Sequence, residues 1–161
     1  MIYLVEGADG SGKSVLINKL LSANTKLKQC DIVPLNWPYQ YEFYDMFFDK
    51  IVNEYEKDII IDRSFISEMV YRIVKKDRPA NITLREICLL LRKYPIKIIY
   101  CKSDTAFEDA MSRGEIYITT KTEHMHLSHV YDVIIDLIQQ FTDTEVINYN
   151  WKTDNLKNLM D

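Results

Sequence analysis

The sequence predicts an α/β fold of three layers, a doubly wound and mostly parallel sheet with helices on both faces. Short apolar, β-branched runs recur along the chain, as in Ile2-Tyr3-Leu4-Val5, Ile59-Ile60-Ile61, Ile96 to Cys101 and Val146-Ile147. Such runs are what strands buried on both faces look like. Between them lie stretches with apolar residues at helical spacing, so strands and helices alternate from end to end. The glycines also cluster: three of the four fall at positions 7, 10 and 12, directly after the first apolar run.

That cluster reads Gly7-Ala8-Asp9-Gly10-Ser11-Gly12-Lys13-Ser14 and satisfies the phosphate-binding pattern G-x-x-x-x-G-K-[ST] at every fixed position. Its setting is also right. A strand precedes it, and Val15-Leu16-Ile17-Asn18-Lys19-Leu20-Leu21 follows with helical periodicity. Strand, glycine turn and helix aim backbone N–H groups and a helix N-terminus at a phosphate. Gly7, Gly10, Ser11 and Gly12 would cradle a nucleotide, Lys13 would reach its β- and γ-phosphates, and the Ser14 hydroxyl would ligate Mg²⁺. ATP and Mg²⁺ are the expected cofactors.

The chain's 161 residues, 47% hydrophobic and 27% charged, suit one domain over 1–161 with a sizeable core. No linker, low-complexity block or repeat divides it. With the first strand starting at Met1 and no apolar run of membrane length, a cytoplasmic protein without leader or membrane partner is expected. Cys30, Cys88 and Cys101 are odd in number and lack metal spacing, so they read as free thiols. A net charge of −4 gives no global footprint for a nucleic-acid backbone.

After the first helix, Lys26 to Gln29 reads as a polar connection and Cys30 to Leu35 as the second strand, ended by Pro34. Asn36-Trp37-Pro38 then falls where a loop faces the ligand crevice, so Asn36 and Trp37 are candidates for the acceptor pocket, with Trp37 equally suited to plugging the core. Residues 39–56 form an amphipathic helix whose stripe is Phe43, Phe47, Ile51 and Tyr55, with Tyr44 and Phe48 alongside. Ile59-Ile60-Ile61 makes the third strand. Asp62-Arg63-Ser64 at its tip should open onto the same crevice as the glycine loop. An acid there can organise Mg²⁺ or accept a proton from an attacking hydroxyl, and the arginine can clamp phosphoryl oxygens. The bland alternative is an Asp62–Arg63 surface pair capping the next helix.

That helix spans Phe65 to Val74 with Ile66, Met69, Val70 and Ile73 inward, and ends before Pro79. Thr83 and Glu86 make a capping box for the next helix. The strand at Ile96 follows, then a short helix from Thr105 to Ser112 that stops at Arg113-Gly114. A loop or short lid occupies about 113–123, a long helix runs from Glu123 to Phe141, and Glu145 to Tyr149 is the last strand before a polar tail. His124, His126 and His129 lack a metal motif and read as incidental on a partly exposed helix.

Two motifs make the chain resemble the thymidylate kinase and deoxynucleoside kinase group of small P-loop phosphotransferases. Glu6-Gly7-Ala8-Asp9-Gly10-Ser11-Gly12-Lys13-Ser14 is very similar to the thymidylate kinase loop, and Asp62-Arg63-Ser64 resembles both the D-R-[YHS] of those enzymes and the E-R-S of deoxynucleoside kinases. A weaker likeness is the arginine-containing lid at Arg113. The resemblance implies five parallel strands in the order 2-3-1-4-5, ATP·Mg²⁺ on the loop, Asp62 with Ser14 at the metal, and Asp9 meeting the acceptor's sugar. It also implies Arg63 and Arg113 as stabilisers of transferred charge, beside Lys13. Asn36-Trp37-Pro38 departs from it, holding neither the arginine of thymidylate kinases nor the glutamate of deoxynucleoside kinases. A monophosphate acceptor would therefore rest on Arg63, Arg72 and Arg113.

Three functions remain open on the sequence. One is phosphoryl transfer from ATP to a deoxynucleoside or its monophosphate. A second, similar to that of compact bacteriophage kinases, is phosphorylation of a hydroxymethylated pyrimidine such as 5-hydroxymethyluracil in DNA, for which the negative charge is unfavourable and Trp37 suitable. The third is a nucleotide-dependent regulatory ATPase without acceptor. A homodimer is compatible with all of them.

Overall fold

The computed structural model describes residues 1–30, 39–77, 79–114, 118–156 and 159. Its five strands are β1 (Ile2–Glu6), β2 (Leu27–Gln29), β3 (Asp58–Asp62), β4 (Ile96–Cys101) and β5 (Val146–Tyr149). They form one sheet in the order β2-β3-β1-β4-β5, and every neighbouring pair is parallel. The expected order therefore holds. Among the described residues six helices connect them: α1 (Lys13–Ala23), α2 (Gln40–Glu54), α3 (Phe65–Lys75), α4 (Leu84–Lys93), α5 (Ala106–Ser112) and α6 (Lys121–Phe141).

Parallel strands need covering on both faces, and the core divides accordingly. Ile2, Leu4, Ile59, Ile61, Ile96 and Ile98 join one apolar cluster with residues of α2, α3, α4 and α6. Tyr3, Val5, Ile60 and Ile99, alternating with them, join a second with Leu16, Ile17 and Leu20 of α1. The period-two alternation of a strand thus sorts one isoleucine run between two cores. Phe48 anchors the larger cluster, its ring 5.6 Å from Tyr44, 6.1 Å from Phe65 and 5.5 Å from Tyr94.

Local signals read correctly where capping chemistry is explicit. Thr83 accepts from the Glu86 N–H while the Glu86 carboxylate accepts from the Thr83 N–H at 2.7 Å. The three cysteines are free thiols.

Four expectations need correction. The second strand is Leu27–Gln29, on the segment expected to be a polar connection. It is an edge strand, so only Leu27 is buried while Lys28 and Gln29 face solvent, and Cys30 N–H still bonds Ile60 O at 3.0 Å. The rest of the expected strand, 31–35, lies outside the described residues. On α2 the buried residues are Gln40, Tyr44, Phe48 and Ile51, with Phe43 and Phe47 partly buried and Tyr55 exposed. Ile73 is 41% exposed, and Val74 takes its place in the core. Finally, the polar tail supplies Trp151, Leu156 and Leu159 to the smaller core.

Phe48 has no exposed surface. Phe48→Ala should lower unfolding free energy by about 3–5 kcal/mol, read from urea denaturation midpoints at constant slope.

Candidate active site

The β1–β3 register sets Val5 beside Asp62, and the Arg63 N–H donates to Val5 O at 3.0 Å. The loop leaves β1 after Glu6 and enters α1 at Lys13, so it lies beside the Asp62-Arg63-Ser64 tip of β3. Neighbouring structure leaves its glycines no room for a side chain. A Cβ at Gly10 (φ +80°) would come 1.8 Å from Ala106 O, and one at Gly12 (φ +90°) would come 2.2 Å from the Trp151 indole. Both positive φ values also suit glycine.

Lys13 is buried, and its ammonium donates to Gly7 O and Ala8 O, both at 2.8 Å. Burial pulls its pKa down to about 8, Arg63 adding to the effect and Asp62 and Asp9 opposing it. Asp9 and Arg63 form an ion pair across the two motifs. Burial alone would raise the Asp9 carboxyl, but Arg63 and Lys13 outweigh it and hold the group below its ordinary value. Arg63 adopts a left-handed backbone (φ 65°), and its guanidinium sits 5.0 Å from the centre of the Tyr71 ring. The partner of Arg63 is thus Asp9, and the cap of α3 is Ser64, whose Oγ accepts from Ile66 N–H at 3.3 Å. A surface Asp62–Arg63 cap is not what forms.

Beneath the loop, Glu6 is fully buried and accepts from the Ser64 and Ser67 hydroxyls. Ser67 lies 2.7 Å from the Tyr131 hydroxyl, which completes a polar chain from β1 through α3 to α6. Burial raises the Glu6 pKa against the pull of the two serines. His124, also buried, holds its Nε2 at 2.8 Å from Asp9 O.

Asp62 keeps a buried Oδ1 with no hydrogen-bond partner among the described residues, and Ser11 Oγ is in the same state. Ser14, one residue beyond Lys13, is exposed. Orphaned oxygen, exposed hydroxyl and buried ammonium fit phosphates with a cation, whose oxygens and charge would satisfy all three. Among the described residues no group of three or more His, Cys, Asp or Glu is placed to hold a metal. A magnesium ion would therefore lean on Ser14, Asp62, phosphate and water, as that ion commonly does.

Lys13, Asp9, Asp62 and Arg63 come together as expected. Arg72 is buried on α3, its Nε donating to Glu68 at 2.6 Å and one terminal nitrogen reaching Asp77 at 3.2 Å. Arg113 caps the end of α5, exposed, with its charge acting on Asp109. Asn36 and Trp37 lie outside the described residues, as does the centre of the expected lid, 115–117. His124 and Trp151 are additions to the expected set. A helix periodicity that buries His124 beside Leu127 and Tyr131 was the available signal for the first; nothing local marked the second.

No family model matches the chain, and no curated protein sequence does either. Solved structures do. The YorR protein of Bacillus subtilis, in complex with phosphorylated GDP, superimposes with a TM-score of 0.65 at 19% identity, over 93% of this chain and 85% of that one. The fold is that of the small P-loop kinases. Deoxyadenosine kinase of M. mycoides with bound dCTP gives 0.60 at 16% identity, over 96% and 92% of the two chains. Thymidylate kinase of Ehrlichia chaffeensis gives 0.52 at 15%, over 96% and 91%. No helix among the described residues is long and apolar enough to cross a membrane.

A lysine that titrates near 8 must be charged to hold phosphate, so nucleotide binding should draw in a proton above that pH. Titration calorimetry at about pH 8.5, in buffers of different ionisation enthalpy, should show this uptake, and affinity should fall as pH rises through about 8. A buffer-independent enthalpy would contradict a depressed Lys13.

Proposed function

We propose that the protein is an ATP-dependent kinase that transfers the γ-phosphoryl group to a deoxynucleoside or its monophosphate. The observation that carries this reading is the convergence of Lys13, the Asp9–Arg63 pair and the orphaned Asp62 carboxylate at the parallel ends of β1 and β3. Strand ends of that kind are where open α/β sheets bind ligands. The fold's likeness to deoxynucleoside and thymidylate kinases supports it.

In this reading Lys13 leaves the Gly7 and Ala8 carbonyls for the β- and γ-phosphates, which the loop N–H groups also hold. With a nucleoside acceptor its hydroxyl oxygen attacks the γ-phosphorus, the bond to the β–γ bridging oxygen breaks, ADP departs and Asp62 takes the hydroxyl proton. With a monophosphate a phosphate oxygen attacks instead and leaves Asp62 no hydroxyl proton to take. Arg63 meets the charge on the transferred group. Magnesium, when bound, neutralises phosphate charge beside Ser14 and Asp62. Asp9 faces the acceptor.

Charge balance favours the neutral nucleoside over the monophosphate. The guanidinium of Arg72 already faces two carboxylates, Glu68 and Asp77, so it offers little net charge to a dianion. The overall charge of −4 favours a small acceptor over DNA.

A coupled assay of ADP release across deoxynucleosides, their monophosphates and DNA containing 5-hydroxymethyluracil tests the acceptor directly. Deoxynucleosides should give the highest kcat/KM, with KM insensitive to salt. Turnover confined to DNA, with a KM rising steeply in salt, would replace this reading, and ATP hydrolysis unaffected by any acceptor would point to a regulatory ATPase.

Asp62→Asn keeps shape but loses the proton acceptor, so kcat should fall about a hundredfold or more while the KM for ATP changes little. An unchanged kcat with lowered stability would leave Asp62 a structural role only.

A further inference from the structure

His124 sits on the first turn of α6 and touches the phosphate loop through one atom pair, Nε2 to Asp9 O at 2.8 Å. A backbone carbonyl only accepts, so Nε2 carries the proton and the imidazole is the donor. The ring is 4% exposed, and Phe107 of α5 meets it at 66° with centroids 5.7 Å apart. Its helix is anchored around it. Thr120 Oγ1 accepts from Glu123 N–H at 3.2 Å, Lys121 pairs with Glu108 of α5 at 2.7 Å, and Lys75 of α3 pairs with Glu123 at 3.0 Å. The imidazole is therefore a fixed donor on a fixed frame.

The residue it holds is less constrained by itself. Asp9 lies between Gly7 and Gly10, both at positive φ, in a turn that one backbone bond spans, Ser11 N–H to Ala8 O at 3.3 Å. Different elements hold its two polar groups: His124 of α6 its carbonyl, and Arg63 at the tip of β3 with Tyr71 of α3 its carboxylate. The loop's other carbonyl contacts from a side chain, at Gly7 and Ala8, come from Lys13, which the proposed reaction turns toward phosphate. The proposed reaction asks no such turn of His124, whose contact is with Asp9 O.

We propose that His124 is the positioning residue of the acceptor half of the site, acting through Asp9. It fixes the Asp9 peptide so that the Asp9 carboxylate and Arg63 stand ready for the acceptor, while the phosphate half is governed by Lys13 and the loop N–H groups. This rests on the kinase reading above for its kinetic consequence, though not for the clamp itself.

The test compares the full chain with His124→Phe, which keeps ring bulk beside Phe107 without a donor, and His124→Gln, which keeps an N–H of similar reach. Amide hydrogen exchange at Gly10, whose N–H belongs to the clamped Asp9–Gly10 peptide, should speed about tenfold in His124→Phe and be unchanged at residues 11–13 and elsewhere. The acceptor KM should rise about tenfold with the KM for ATP within about twofold, and His124→Gln should return the acceptor KM to within about threefold of the parent. His124→Leu replaces the phenylalanine variant if that one does not fold. Unchanged loop exchange overturns the proposal, as does an equal rise in both KM values or a glutamine variant no better than phenylalanine. The exchange readout needs no substrate. A loosened loop in a protein that phosphorylates no nucleoside or nucleotide would therefore overturn the kinase reading and uphold the clamp.

Discussion

A slip of one residue between β1 and β3 would turn the side chains at the tip of β3 to the opposite face of the sheet, and the register of Val5 on Asp62 forbids it. That register depends on the isoleucines, since Ile59 and Ile61 fill one core and Ile60 the other, and a slip would exchange their faces. From it follow the proximity of Arg63 to Asp9, the place of Ser64 over Glu6 and the meeting of Asp62 with the loop. The chemistry at the end of the strand is thus aligned by hydrophobic packing along its length. Directional contacts then refine what burial has set.

The site lets charge into a dry place at a cost and compensates each group differently. Glu6 is met by two hydroxyls, Arg72 by two carboxylates, and Lys13 by neutral carbonyls. Only the last arrangement gives a buried ammonium none but neutral hydrogen-bond acceptors, and burial, with Arg63 nearby, depresses its pKa. An anion is what such a group lacks. The loop is therefore electrically biased toward an anion.

Much of this was legible in the sequence because its signals are local. A glycine pattern between strand and helix, an acid and arginine closing an isoleucine run, and a threonine three residues ahead of a glutamate each carry their geometry within a few residues. The edge strand was not legible, because with one neighbour it needs one buried residue, and Leu27 among lysines and glutamines gives no pattern. Ile73 shows the converse, an apolar residue in helical phase that packing leaves outside. His124 and Trp151 depend on contacts with the loop across more than a hundred residues of chain, and spacing within a window of sequence carries no trace of such pairs. Arg72 looked available because its carboxylate partners, four and five residues on either side, read equally well as a solvated face.

The backing of Gly10 by α5 and of Gly12 by Trp151 has a consequence for descent. Two independent pressures would keep those positions free of side chains, one from phosphate in the proposed reaction and one from the protein's own interior. If the proposed phosphoryl transfer were abandoned in a lineage, the first would lapse and the second would remain. The glycines would then outlive the activity, whereas Asp62, whose buried Oδ1 has no hydrogen-bond partner among the described residues, would drift first. In descendants of such a protein the acid, rather than the glycine spacing, would be the record of continued use.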